Sequence, residues 1–232
     1  MMNGSVTSPM GFTAVTLAVG LKKDKQLDLA LVYSERDCSC AAVFTQNQVV
    51  AAPVIVDRET VAENSRTIRV IVANAKIANA CTGELGLTNA RETQKLAAAA
   101  LNIQPNQALV LSTGVIGVQL PMEKIRVGIE TAVSKLKSRG AGERGGGGVE
   151  AAQAIMTTDT RPKHLAVTVE LPDSRVTIGG MAKGAGMIHP NMATMLAIVT
   201  TDAQIAPDVL DRMLSTAVNR SFNRISIDGD TS

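Results

Sequence analysis

Short apolar, β-branched runs and helical periodicities follow one another along this chain without strict strand–helix alternation. A doubly wound parallel sheet needs that alternation, so the pattern favours a layered α+β fold. Strands are predicted over residues 12–17, 29–33, 41–44, 68–73 and 108–112. Residues 53–56 read as an edge strand, because Pro53 cannot donate to a ladder. Asn89, with Glu92 three residues on, reads as the cap of a helix running to about Asn102. Pro121 suits the first position of a helix, and Ile125, Ile129, Ala132, Val133 and Leu136 give that helix one apolar face. Residues 145–148 are four glycines and read as a flexible surface loop, before a short helix over 149–155. Residues 165–170 and 175–178 alternate about Pro172-Asp173-Ser174, a hairpin signal. A buried strand is predicted over 193–201. Pro207 then opens a helix with Leu210, Met213, Leu214 and Ala217 on one face, and residues 224–227 begin a further strand.

Composition narrows the function classes. The net charge of +2 over 232 residues excludes nucleic-acid binding driven by bulk charge. Four aromatic residues (Phe12, Phe44, Phe222 and Tyr33) leave almost no platform for base stacking. Cys38, Cys40 and Cys81 are too few and too irregularly spaced for a disulfide framework. His164 and His189 are not spaced as a ligand pair, so no metal site is expected. No stretch approaches the roughly 20 apolar residues of a membrane helix. Residues 11–21 are mildly apolar, but Lys22 and Lys23 follow them rather than precede them, the wrong order for a secretory signal. A soluble, cytoplasmic protein without a membrane partner is expected.

Chemistry concentrates between residues 179 and 196. Gly179, Gly180, Gly184 and Gly186 lie within eight residues, and Pro190-Asn191 follows. Such a segment can hold backbone conformations closed to ordinary residues. It delivers Thr194 at the head of an apolar strand, with the small Ala193 before it. A strained peptide ahead of a threonine suggests self-cleavage between Ala193 and Thr194. The freed α-amine of Thr194, with an ordinary pKa of about 7.7–8.0, could then serve as general base for its own hydroxyl. A threonine here is otherwise a plain strand residue, and Lys183 a plain surface lysine. Thr113 and Gly114 end a strand and could aim one O–H and one N–H at a developing oxyanion, or form an ordinary strand-to-turn junction. The cluster Thr157-Thr158-Asp159-Thr160 reads as a capping or turn device.

The residues 180–187 (GMAKGAGM) and 190–196 (PNMATML) resemble the ornithine acetyltransferase family of arginine biosynthesis. Residues 112–117 (STGVIG), 155–160 (IMTTDT), 78–83 (ANACTG), 43–47 (VFTQN) and 51–53 (AAP) extend the similarity over essentially the whole chain. The resemblance implies a layered αββα sandwich, incomplete here, that cuts itself before Thr194. It divides the chain into an α-chain region, 1–193, and the start of a β chain, 194–232, whose remainder is missing. It implies that Thr194 takes an acetyl group from N2-acetylornithine and passes it to glutamate. By position, Thr113 and Gly114 match the oxyanion hole, and Thr157, Lys183 and Thr194 match substrate contacts. No tightly bound cofactor is implied, although acetyl-CoA could be a further donor, and the expected assembly holds two α and two β chains. The chain departs from the family at Lys76 and Ile77, where glycine and asparagine are usual, and family members are far longer. The alternatives are a self-processing N-terminal-threonine amidase or aminopeptidase, and an inactive truncated fragment.

Overall fold

The structure, a computed structural model, describes residues 4–138, 146–192 and 194–231. Over these residues the chain forms β1 (Phe12–Leu17), β2 (Leu29–Cys38), α1 (Ala52–Glu63), β3 (Ile68–Asn74), α2 (Gly83–Leu101), β4 (Ala108–Ser112), α3 (Met122–Ser138), α4 (Gly148–Ala154), β5 (Lys163–Leu171), β6 (Ser174–Lys183), β7 (Leu196–Thr201) and α5 (Pro207–Arg220). The first sheet has the order β1-β2-β3-β4 and the second β5-β6-β7. All pairings are antiparallel except β3 with β4.

The period-2 alternation of strands decides the layering. In the first sheet it sends Ala14, Ala30, Val32 and Ala73 to one face. Val15, Leu29, Leu31, Val70 and Val72 go to the other. The larger side chains meet α2 and α3 through Ala97, Ile125, Ile129, Ala132 and Val133. The smaller face leaves room for α4 and the second sheet, which reach it through Ala151, Ala152, Ile155, Met181 and Ile198. A smaller cluster of Ala52, Val56, Ala90 and Val110 seats α1 between α2 and β4. The result is the helix–sheet–sheet part of an α+β sandwich, as the sequence suggests. Among the described residues, no helix is long and apolar enough to cross a membrane.

Several local expectations are corrected. Residues 53–56 are not an edge strand but the first turn of α1, with Pro53 in that turn, where its missing N–H costs nothing. The edge strands of this sheet are β1 and β4, and Asp57 on α1 accepts the Val110 N–H of β4 at 2.9 Å. Residues 41–44 form no strand. Helix α2 starts at Gly83, six residues before Asn89. Asn89 is buried inside it and donates to Gln119 Oε1 at 3.3 Å. Residues 224–227 are not a strand: a 3₁₀ turn spans Phe222–Arg224, and Ile227 N donates to the Ile188 carbonyl at 2.9 Å. The strand predicted over 193–201 begins at Leu196, and Ala193 lies outside the described residues.

The glycine run also differs from a loose loop. Gly145 lies outside the described residues, but Gly146 accepts the Ala14 N–H at 3.0 Å, and Gly148 opens α4. Gly147 has a φ of +84° and its Cα faces the Ala14 carbonyl so closely that a Cβ would overlap it. Glycine is needed there because the backbone of α4 must approach β1 directly.

Candidate active site

The candidate groups sit at one end of the two sheets. Thr113 follows β4, is buried, and donates its N–H to the Asn74 carbonyl at 3.0 Å. The Asn74 side chain accepts from Ser112 Oγ at 2.6 Å and donates to the Ile77 carbonyl at 2.9 Å. The 76–80 and 114–117 segments are zipped together: Val115 N donates to the Lys76 carbonyl and Ala78 N to the Val115 carbonyl, both at 2.9 Å. Gly114, at φ +134°, presses against the Lys76 backbone where no Cβ could fit. Lys76 itself has a φ of +86°, a conformation in which a glycine would be unstrained.

The other group assembles around a residue read from sequence as a turn device. Asp159 is buried, its side chain 1% exposed, and it pairs with Lys163 Nζ. It also accepts Gly184 N at 2.9 Å and Thr157 N at 3.2 Å. Burial alone would raise its pKa, but the Lys163 hydrogen bond and the Gly184 and Thr157 amides outweigh that, holding its carboxyl below the usual carboxylate range. Asp159 therefore ties the loop bearing Thr157 to the end of β6 bearing Lys183. Lys183 is buried, at 6% exposure. Burial pushes its ammonium pKa down, Asp159 works against that, and Lys163 adds to it.

A third lysine closes this corner. Lys22 Nζ donates to the Leu27 carbonyl at 2.8 Å and the Ala154 carbonyl at 3.0 Å. Its pKa is lowered by burial, against the pull of Asp28 and Asp159. Leu27 and Asp28 adjoin β2, and Asp28 accepts Ala75 N at 2.9 Å just after β3. The lysine corner thus lies at the same end of the sandwich as Thr113. Three lysines against two carboxylates, Asp28 and Asp159, leave the corner with an excess of basic groups, suited to an anionic group. Lys22 and Lys163 carry no motif signal: Lys163 meets Asp159 locally, four residues on, and only the fold brings Lys22 near it.

Thr194 reaches this corner through β7. Lys183 pairs with Leu196, two residues beyond Thr194. The turn before Thr194 is closed by Thr194 N donating to the Met187 carbonyl at 3.1 Å. Met187, Asn191 and Met192 have φ of +56°, +70° and +57°. For residues with a Cβ, each such conformation costs of order 1–3 kcal/mol. The structure thus brings Thr157 and Lys183 together through Asp159, sets Thr194 two residues before the adjoining strand β7, and places Thr113 and Gly114 just after β4 of the other sheet.

Cys38 and Cys40 have no part here. Burial raises the thiol pKa of Cys38 and pushes that of Cys40 up to about 12, the reverse of an activated nucleophile. Among the described residues, no group of three or more His, Cys, Asp or Glu is placed to hold a metal ion.

Fold and site together define a layered α+β sandwich with a strained turn feeding a threonine into an electropositive corner. The chain belongs to the ArgJ family, whose signature matches residues 13–232. It is 48% identical over 231 residues to an arginine biosynthesis bifunctional protein ArgJ from Synechococcus, covering 100% of this chain and 54% of that protein. A Thermotoga neapolitana protein of the same name is 48% identical over 224 residues, covering 97% and 54%. The chain thus spans about half the length of the curated relatives it matches. Among solved structures it is similar to an ornithine acetyltransferase from Mycobacterium tuberculosis complexed with ornithine, at 42% identity and TM-score 0.72, covering 83% of this chain and 96% of that one. It is also similar to an ArgJ protein from Bacillus halodurans, at 39% identity and TM-score 0.73, covering 83% and 95%.

Proposed function

We propose that this chain is the self-cleaving portion of an acetyltransferase of arginine biosynthesis. It moves an acetyl group from N2-acetylornithine to glutamate through an acetyl-Thr194 intermediate. The observation that carries the reading is the turn of left-handed residues that delivers Thr194 beside the Lys183 corner, in a chain similar to an ornithine-bound acetyltransferase. The solved chains support the division at Thr194: each is covered almost completely while matching 83% of this chain, about the share that residues 1–193 represent.

In this mechanism, Thr194 Oγ attacks the carbonyl carbon of Ala193. The C–N bond breaks, the hydroxyl proton passes to the departing nitrogen, and an ester forms. Water hydrolyses the ester, giving a 1–193 chain and a chain that starts at Thr194. The new α-amine then accepts the hydroxyl proton as Oγ attacks the acetyl carbonyl of N2-acetylornithine. Ornithine departs with its α-amine protonated. The α-amine of glutamate attacks the acetyl ester, releasing N-acetylglutamate and restoring the Thr194 hydroxyl. The Thr113 hydroxyl and Gly114 N–H serve each oxyanion, a donor pair in which one member typically contributes about 2.7–4 kcal/mol. Lys183 takes the substrate carboxylate by a charge-assisted contact, with Thr157 as its neighbour. Acetyl-CoA is a second donor in this proposal, and the working assembly is α2β2.

The test is the intact mass of the purified chain under denaturing conditions, with and without Thr194→Ala. The expected result is two species, 1–193 and 194–232, in the parent and one in the variant. A single mass for both sinks the self-cleavage. Incubation with labelled N2-acetylornithine and glutamate then reads transfer. Release of label to water rather than to glutamate marks an amidase and overturns the acetyltransferase reading.

A further inference from the structure

The left-handed turn before Thr194 is held from the far side of the cleavage position. The Asp228 carboxylate accepts Met187 N at 2.6 Å and Ile188 N at 3.1 Å. Asn223 Oδ1 accepts Asn191 N at 3.1 Å and Met192 N at 3.2 Å. All three residues with positive φ, Met187, Asn191 and Met192, therefore have their amides gripped by one of these two side chains. Asn223 is itself oriented by donating to Asn219 Oδ1 on α5 at 2.8 Å. Ile227 N adds a backbone bond to Ile188 O at 2.9 Å, and Ser226 Oγ lies 3.0 Å from His189 Nδ1. The grip on Met187 extends to the reacting bond, because the Met187 carbonyl accepts Thr194 N. The amide nitrogen released on cleavage is thus one hydrogen bond away from a residue Asp228 holds.

Such strain persists only where surrounding groups over-determine it. Neither gripping residue is in the turn, and among the described residues no group upstream of Thr194 accepts from these four amides. We propose that Asn223 and Asp228 are positioning residues for self-cleavage, locking the 187–192 turn in the conformation that presents the bond before Thr194 to its hydroxyl. The inference rests on the self-cleavage reading above. It adds that the segment after the cut supplies the clamp, so the two products remain joined through it once the bond is broken.

Two measurements on the 232-residue chain test this. The first is the time course of cleavage by intact mass for the parent, Asn223→Ala, Asp228→Ala and Asn223→Asp. Each alanine variant is expected to slow cleavage by about tenfold or more, about 1.4 kcal/mol of barrier. Asn223→Asp keeps an acceptor oxygen and is expected to restore most of the rate. Their urea midpoints should match the parent's, because Asp228 is exposed and Asn223 only half-buried. Alanine variants that cleave at the parental rate overturn the proposal. The second is amide hydrogen exchange in a Thr194→Ala background, where cleavage cannot intervene. Asp228→Ala should strip protection from residues 187 and 188, and Asn223→Ala from 191 and 192. Unchanged protection overturns the clamp. If the parent chain never cleaves, the self-cleavage reading fails and the positioning role falls with it. The exchange data then separately decide whether the grip on the turn exists.

Discussion

Asp159 joins its own loop to a segment 25 residues on, through Thr157 N on one side and Gly184 N on the other. Its replacement by alanine leaves both amides and Lys163 without their acceptor. Water can reach part of the site, so the expected loss is about 2 kcal/mol, read as a shift in the urea midpoint. The sign of the pH dependence follows from its lowered pKa. A carboxylate held lower in the folded state contributes stability that is present above the ordinary carboxylate value and lost as pH falls through the folded one. Acid titration of the parent should therefore show a loss below about pH 4 that is diminished in Asp159→Ala. An identical acid limb in both would show that Asp159 does not hold the two segments together.

At the scale of elements, α1 meets the edge strand β4 through an apolar cluster and one buried carboxyl. Burial raises the pKa of Asp57 to about 8, although the Val110 N–H it accepts works the other way. Here the sign is opposite. The folded state holds a proton that the unfolded chain has released, so stability declines as pH rises from about 4 towards about 8. The slope approaches one proton, about 1.4 kcal/mol per pH unit. Asp57→Asn keeps an acceptor for Val110 N and has no proton to lose. Its stability should be flat over that range, and a slope equal to the parent's would assign the dependence to another group. The edge of β4 is thereby closed to further strands by a side chain rather than by another backbone.

At the scale of the whole molecule, the two faces of the second sheet differ. Met181 and Ile198 face the core. On the other face Leu165, Val167, Val169 and Leu171 are 42–50% exposed, with Val199 at 54% and Ile178 at 36%. Cross-strand pairing sets them side by side: Val167 opposes Ile178, and Leu165 and Val199 flank Gly180. A contiguous apolar face of this kind favours association. The chain is expected to show concentration-dependent sedimentation that Val167→Lys and Val199→Lys reduce. Because both sites are exposed, each change should cost less than about 0.5 kcal/mol of stability. Sedimentation unchanged by both substitutions would place the contact elsewhere.

Much of the architecture was legible in consecutive residues. β1 and β4 have the bounds their alternation predicts, and α3 buries Ile125, Ile129, Ala132 and Val133, the apolar face read from its period. The mixed strand and helix order already favoured layered α+β, and the residues around Thr194 carried the family. These features are local: a period or a motif is complete within one segment, so the sequence by itself determined them. Tertiary structure decided the rest. Residues 53–56 could pair as a strand or coil as a helix, and packing of Ala52 and Val56 against Ala90 and Val110 selected the helix. The four-glycine run became a close contact because β1 lies against it. Lys22 and Lys183 near Asp159, and Asn223 and Asp228 around the strained turn, come from partners separated by tens of residues. Nothing in the order of residues encodes that distance. It is set only when burial of the two sheets brings those segments to the same end of the sandwich.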